Sequence, residues 1–124
     1  MIDPKTLGLI YLACPYSDPC GHIQEYRAHQ ADDALAYLLG AGALAYSPIS
    51  HSHRIGHRLP ATWEFWSRIC LKMLLKTDSL VILTVNGWYE SAGVAAEIRG
   101  WTMPLYWTEP YFMNPQTHVI TRLS

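Results

Sequence analysis

Neither sign of charge dominates this chain. Nine Lys and Arg stand against ten Asp and Glu among 124 residues, a net charge of -1. It therefore lacks the basic footprint expected for binding a nucleic-acid polymer. No apolar run approaches the roughly twenty residues of a membrane span, and no signal-peptide pattern opens the chain. Cysteine is scarce and odd in number. Cys14, Cys20 and Cys70 make neither a Cys-x-x-Cys pair nor a metal-ligand spacing, which argues against a disulfide scaffold, a redox module or a structural metal. The expectation is a reduced, cytoplasmic protein without membrane or metal partners. Charged residues make up only 15% and hydrophobic residues half, which argues against disorder. No repeat or low-complexity linker divides the chain, so residues 1–124 are expected to form one domain with a real core.

What is present alternates between strand and helix. Leu9-Ile10-Tyr11-Leu12-Ala13 reads as a first strand, ending at the loop Cys14-Pro15-Tyr16-Ser17. From His22 to Leu39 the spacing of Ile23, Tyr26, Ala31, Ala34, Leu35 and Leu38 predicts a helix closed by Gly40 and Gly42. Ala43–Tyr46 is a short second strand leading into the loop Ser47–His53. Thr62 caps a helix with the inward stripe Trp66, Ile69, Cys70, Met73 and Leu74. The apolar run Leu80–Val85 is a buried third strand, and Met103–Trp107 a fourth, with Pro104 at its start or edge. Val119-Ile120 adds a last edge strand. This alternation implies a parallel sheet with right-handed crossovers. Five Trp and eight Tyr supply rings that can line a pocket for a flat ligand.

The segment Gly87-Trp88-Tyr89-Glu90-Ser91-Ala92-Gly93-Val94-Ala95-Ala96-Glu97 carries the chemistry. Ser91 is a good N-cap for a helix that follows a buried strand. Gly93 and Glu97 share a helix face, and the Glu97 side chain leans back toward the helix start. A carboxylate would then look across a bare glycine into the crevice at the carboxyl end of the sheet, where open α/β folds bind ligands. The alternative is a solvent-facing helix glutamate.

Together Tyr11-Leu12-Ala13-Cys14-Pro15-Tyr16-Ser17, the Ser47–His53 loop, and Gly87-Trp88 followed by Ser91, Gly93 and Glu97 resemble the nucleoside 2-deoxyribosyltransferase-like superfamily. The likeness runs from about Ile10 to Trp107 and is closest to a small bacterial and phage branch related to deoxynucleoside 5′-monophosphate N-glycosidases. It implies a flavodoxin-like three-layer α/β sandwich with a mostly parallel sheet of four to five strands. It also implies a homo-oligomer, a dimer or larger, in which the aromatic tail Tyr111-Phe112-Met113 would complete a neighbour's pocket. The implied activity is cleavage of the N-glycosidic bond of a nucleoside 5′-monophosphate or nucleoside, by hydrolysis or deoxyribosyl transfer, with no cofactor. Glu97 would attack the anomeric carbon and form a covalent sugar-enzyme intermediate. Other N-glycosides, such as ADP-ribose derivatives, present the same chemistry.

The resemblance places Tyr11 beside the nucleophile; the alternative is a core tyrosine. Ser91 takes the place of a phosphate-binding serine, although an ordinary cap is an equal reading. Ala13, Pro15 and Ser17 line the ligand from the first loop, with Gly87, Trp88 and Gly93 opposite. His53 is the favoured contact from the second loop, ahead of His51. Arg27 reads as a solvated cation or an anion contact, and Trp63, Trp66 and Trp88 are candidates for stacking on a base, with a core position the alternative for Trp66. Asp78 fits a turn. Relatives place an aspartate at the position of Cys70, and a thiol substitutes poorly for a carboxylic acid. His53, Glu64 or Glu90 would then supply the proton, or the chain is a nucleotide-binding protein impaired in catalysis.

Overall fold

Two apolar runs set the architecture. In the computed structural model, which describes residues 1–102 and 109–122, Leu9–Ala13 forms β1 and Ser79–Leu83 forms β3. Both are buried almost throughout, as strands with helices on either face must be. They pair in parallel, Tyr11 opposite Leu80 and Ala13 opposite Ile82. Leu44–Tyr46 (β2) pairs with β1, and Tyr111–Met113 (β4) with β3, both in parallel. Ile120–Arg122 (β5) closes the far edge antiparallel to β4. The order β2-β1-β3-β4-β5 is the flavodoxin-like order, whose strand sequence reverses between β1 and β3.

Among the described residues four α-helices complete a single-domain, three-layer sandwich. Gly21–Gly40 (α1) covers the face that carries Ile10, Leu12, Val81 and Leu83. Trp63–Leu74 (α3) and Ala92–Thr102 (α4) cover the opposite face, with Tyr11, Ala13, Leu80 and Ile82. Pro48–Ser52 (α2) is a short helix packed on α1, within what the sequence reads as a plain loop. Strand alternation thus sends Tyr11 to the α3/α4 side and its neighbours Ile10 and Leu12 to the α1 side.

Several expectations need correction. Helix α1 packs through Ala28, Ala31, Ala34 and Leu38, while Ile23 and Tyr26 are exposed. The small alanines let the helix lie close on the sheet, and its bulkier residues are left outside. In α3, Cys70 and Leu74 are buried but Trp66 is only half-buried, its indole N–H donating to the Pro60 carbonyl at 2.8 Å. Thr62 does cap α3, accepting from the Phe65 N–H. The strand expected at Met103–Trp107 lies outside the described residues. Tyr111-Phe112-Met113 is not a free tail but a strand of the sheet, with Tyr111 and Met113 buried. The last edge strand starts at Ile120. Asp78 ties a turn, accepting from the Leu9 N–H at 2.7 Å. Among the described residues no helix is long and apolar enough to cross a membrane.

Candidate active site

Glu97 lies inside the protein. Its helix presents Val94, Glu97 and Trp101 to the sheet, and all three are buried, Glu97 with only 6% of its surface exposed. A carboxyl in the middle of an apolar stripe is costly unless bonded. Here the Tyr11 hydroxyl, rising from β1, donates to Glu97 Oε2. The pair joins the middle of β1 to the helix that follows β3, beneath the strand-order reversal at whose carboxyl end this fold class binds ligands. Ser91 starts the helix, its Oγ accepting from the Val94 N–H at 3.2 Å. That bond fixes the register that turns position 97 inward.

Burial dominates the electrostatics. Loss of hydration raises the Glu97 pKa to about 7, and the Tyr11 hydrogen bond pulls it only part of the way back. Tyr11 is pushed far above the usual phenol range, by burial first and by the Glu97 charge second, so its hydroxyl stays protonated and remains a donor. Cys70, buried on α3, interacts with both groups. Burial, then the charge of Glu97, raises its thiol, and the Tyr11 bond lowers it slightly. Tyr46 extends the cluster with its ring 5.8 Å from that of Tyr11. Its phenol is pushed up to about 12 by burial, then by Cys70 and Glu97. Sequence reasoning missed Tyr46, although a tyrosine ending a strand beside the Tyr11 strand is a signal that was there to read.

The loops after β1 and β3 are clamped together. Arg27, on α1, donates to the Ser17 carbonyl at 3.0 Å and to the Asn86 carbonyl at 3.3 Å. It is a tie between loops rather than a free surface cation. Its guanidinium passes 2.9 Å from where a Cβ on Gly87 would stand. Gly87 also has a φ of +87°, a conformation that favours glycine there. Ala13 and Pro15 are buried, and Ser17 is exposed. The Cys14 thiol is raised to about 12 by burial, lowered by Arg27 and raised again by Glu97, which places the start of this loop within the field of the carboxylate. Gly93 is open: a Cβ there would meet nothing nearer than Ser91 Oγ at 3.8 Å.

The remaining expected contacts are dispersed. Trp88 is half-buried and packs on Phe112, ring centroids 5.4 Å apart. It forms one wall of a surface concavity of about 510 Å³ whose other walls include Thr84, Asn114 and Thr121. Glu97 does not line that concavity. Both ring nitrogens of His53 are engaged, Nδ1 with Tyr16 and Nε2 with Glu25. The His51 ring lies tilted against that of Tyr46, with centroids 5.7 Å apart. Trp63, Glu64 and Glu90 are exposed. Among the described residues no group of His, Cys, Asp and Glu could hold a metal ion.

The family described as Domain of unknown function (DUF1937) matches residues 8–104. The chain belongs to this family. The match runs from the start of β1 past the end of α4, so the DUF1937 region contains Tyr11, Tyr46, Cys70 and Glu97 together with the clamped loops. Strands β4 and β5, and with them most of the concavity beside Trp88, lie beyond it. No curated protein matches the chain.

Proposed function

We propose that this DUF1937 protein cleaves the N-glycosidic bond of a nucleoside 5′-monophosphate or nucleoside, with Glu97 as the nucleophile. One observation carries the reading. A buried carboxyl is held by a tyrosine hydroxyl at the reversal point of a flavodoxin-like sheet. A structural glutamate gains nothing from such a place, because burial destabilises its charged form. For a nucleophile the same burial has a use, since poor hydration leaves the carboxylate reactive toward an oxocarbenium-like carbon. The Tyr11 bond occupies Oε2 and fixes the direction of the other oxygen.

The bond rearrangement is that of retaining glycosidases. Glu97 attacks C1 of the sugar, the C1–N bond breaks with its electron pair going to the base, and water or a second base later displaces the ester. The open space over Gly93 is the approach this reading uses. The Ala92 and Gly93 N–H groups at the start of α4, beside Ser91, would meet a 5′-phosphate. A homo-oligomer in the reduced cytoplasm remains part of the proposal. The test is chromatographic: nucleosides and nucleotides are incubated with wild type and with Glu97→Gln, and free base is measured. Release by wild type and none by a folded variant supports the reading; equal release by both ends it.

Cys70 favours a second reading, a nucleotide-binding protein impaired in catalysis. Its thiol is buried and raised, so it gives up a proton poorly beside a departing base. Micromolar binding of nucleotides without base release over hours would select this reading.

A further inference from the structure

A departing base needs a proton, and the Glu97 cluster is poorly placed to give one. Tyr11 is committed to the carboxylate and Cys70 holds its proton tightly. A second cluster at the same end of the sheet has the geometry for proton movement. His53, at the end of α2, has Nδ1 2.6 Å from the Tyr16 hydroxyl and Nε2 2.8 Å from Glu25 Oε2. A carboxylate only accepts, so Nε2 carries hydrogen, while Nδ1 accepts from Tyr16 in the neutral ring and donates to it in the imidazolium, the form in which the relay starts. The order carboxylate, imidazole, hydroxyl is that of hydrolytic triads, with a phenol in place of serine.

Three elements build it: Tyr16 from the loop after β1, Glu25 from α1, His53 from α2. Glu25 is well exposed and His53 only 27% exposed, so the carboxylate end of the relay faces solvent. His29, 3.7 Å from Glu25, is the other titratable group in contact with it. The loop bearing Tyr16 lies between Cys14, whose thiol senses the Glu97 charge, and Ser17, which Arg27 clamps to the Asn86-Gly87 turn. Tyr16 itself is half-buried against the α1-side core, in the loop that Arg27 ties across to the turn after β3.

We propose that Glu25, His53 and Tyr16 form the acid–base relay of the glycosidase, Tyr16 meeting first the leaving base and then the attacking water. This rests on the reading of Glu97 as nucleophile. In the first step the C1–Oε bond to Glu97 forms and the C1–N bond breaks, its electron pair going to the base. Tyr16 gives its proton to that nitrogen and takes one from Nδ1 of the His53 imidazolium. In the second step water attacks C1 and the C1–Oε pair returns to Glu97. The water proton passes to Tyr16, and the Tyr16 proton to Nδ1. Nucleotide and water become base and sugar phosphate, and the relay is restored. Glu25 is a positioning residue that orients the ring and stabilises the imidazolium.

The experiment compares wild type, Tyr16→Phe and His53→Gln, each checked for folding by circular dichroism. The substrates are an ordinary purine deoxynucleoside 5′-monophosphate and its N7-methylated form, whose base leaves without a proton. Both variants should lose roughly 10²–10⁴-fold in turnover of the ordinary substrate, the usual worth of acid–base catalysis. With the N7-methylated substrate they should release a full burst of base and accumulate a sugar adduct by intact mass. Added azide, a nucleophile needing no base, should restore turnover as the sugar azide. Equal losses on both substrates, with no adduct and no azide rescue, would overturn the relay while leaving Glu97 in place. If wild type itself releases no base, the glycosidase reading falls and the relay with it.

Discussion

Replacing Glu97 by glutamine should stabilise the folded protein above neutral pH. The carboxyl titrates at 4.5 ordinarily and at about 7 in the fold, so the folded state binds its proton more tightly than the unfolded chain does. Its favourable contribution is complete below about pH 4.5 and is lost as pH rises through about 7. Above that, ionised Glu97 costs roughly 3 kcal/mol, at 1.36 kcal/mol for each pKa unit. Glutamine keeps the shape, can still accept from Tyr11, and never ionises. The variant should therefore lie close to wild type at pH 4 and exceed it by up to about 3 kcal/mol at pH 8.5. For a chain of this size that corresponds to a Tm higher by on the order of 10 °C. Urea denaturation at both pH values, with comparable m-values, measures it. A variant less stable than wild type at pH 8.5, or a gap of equal size at both pH values, would refute the reasoning.

Four further outcomes follow from the same geometry. The kcat/KM of wild type should rise with pH through an acidic limb near 7, as Glu97 ionises. Tyr11→Phe, which removes the bond that lowers that pKa, should shift the limb upward in a pH–rate profile and lower its plateau. Gly93→Ala has room in the fold and should raise stability by up to about 1 kcal/mol in a thermal melt; if substrate crosses the bare Cα, KM rises several-fold. Arg27→Ala loses both carbonyl bonds across the loops. It should cost roughly 1–2 kcal/mol by denaturation and speed amide hydrogen exchange in the Cys14–Ser17 and Asn86–Trp88 segments.

Much of the frame was legible because it rests on local pattern. The apolar runs around Ile10 and Val81 announce central strands, and Ser91 six residues before Glu97 fixes which side of the helix turns inward. What escaped depends on contacts between distant segments. Arg27 looks like any helix arginine until the folded loops bring the Ser17 and Asn86 carbonyls to it. The partners of His53 stand 28 and 37 residues away, and no spacing rule links them. Ile23 and Tyr26 follow a helical period yet face outward, because α1 meets the sheet through alanine. The aromatic triplet at Tyr111 was misread as a tail, since three residues are too few for alternation to reveal a strand.

The central claim is tested most directly by finding where the sugar goes. Wild type is mixed with substrate, quenched in acid within milliseconds, digested, and its peptides weighed. The account predicts a deoxyribosyl phosphate or deoxyribosyl adduct on the peptide carrying Glu97, absent from Glu97→Gln. Base release with the label on another residue, or undiminished release by the glutamine variant, would contradict it.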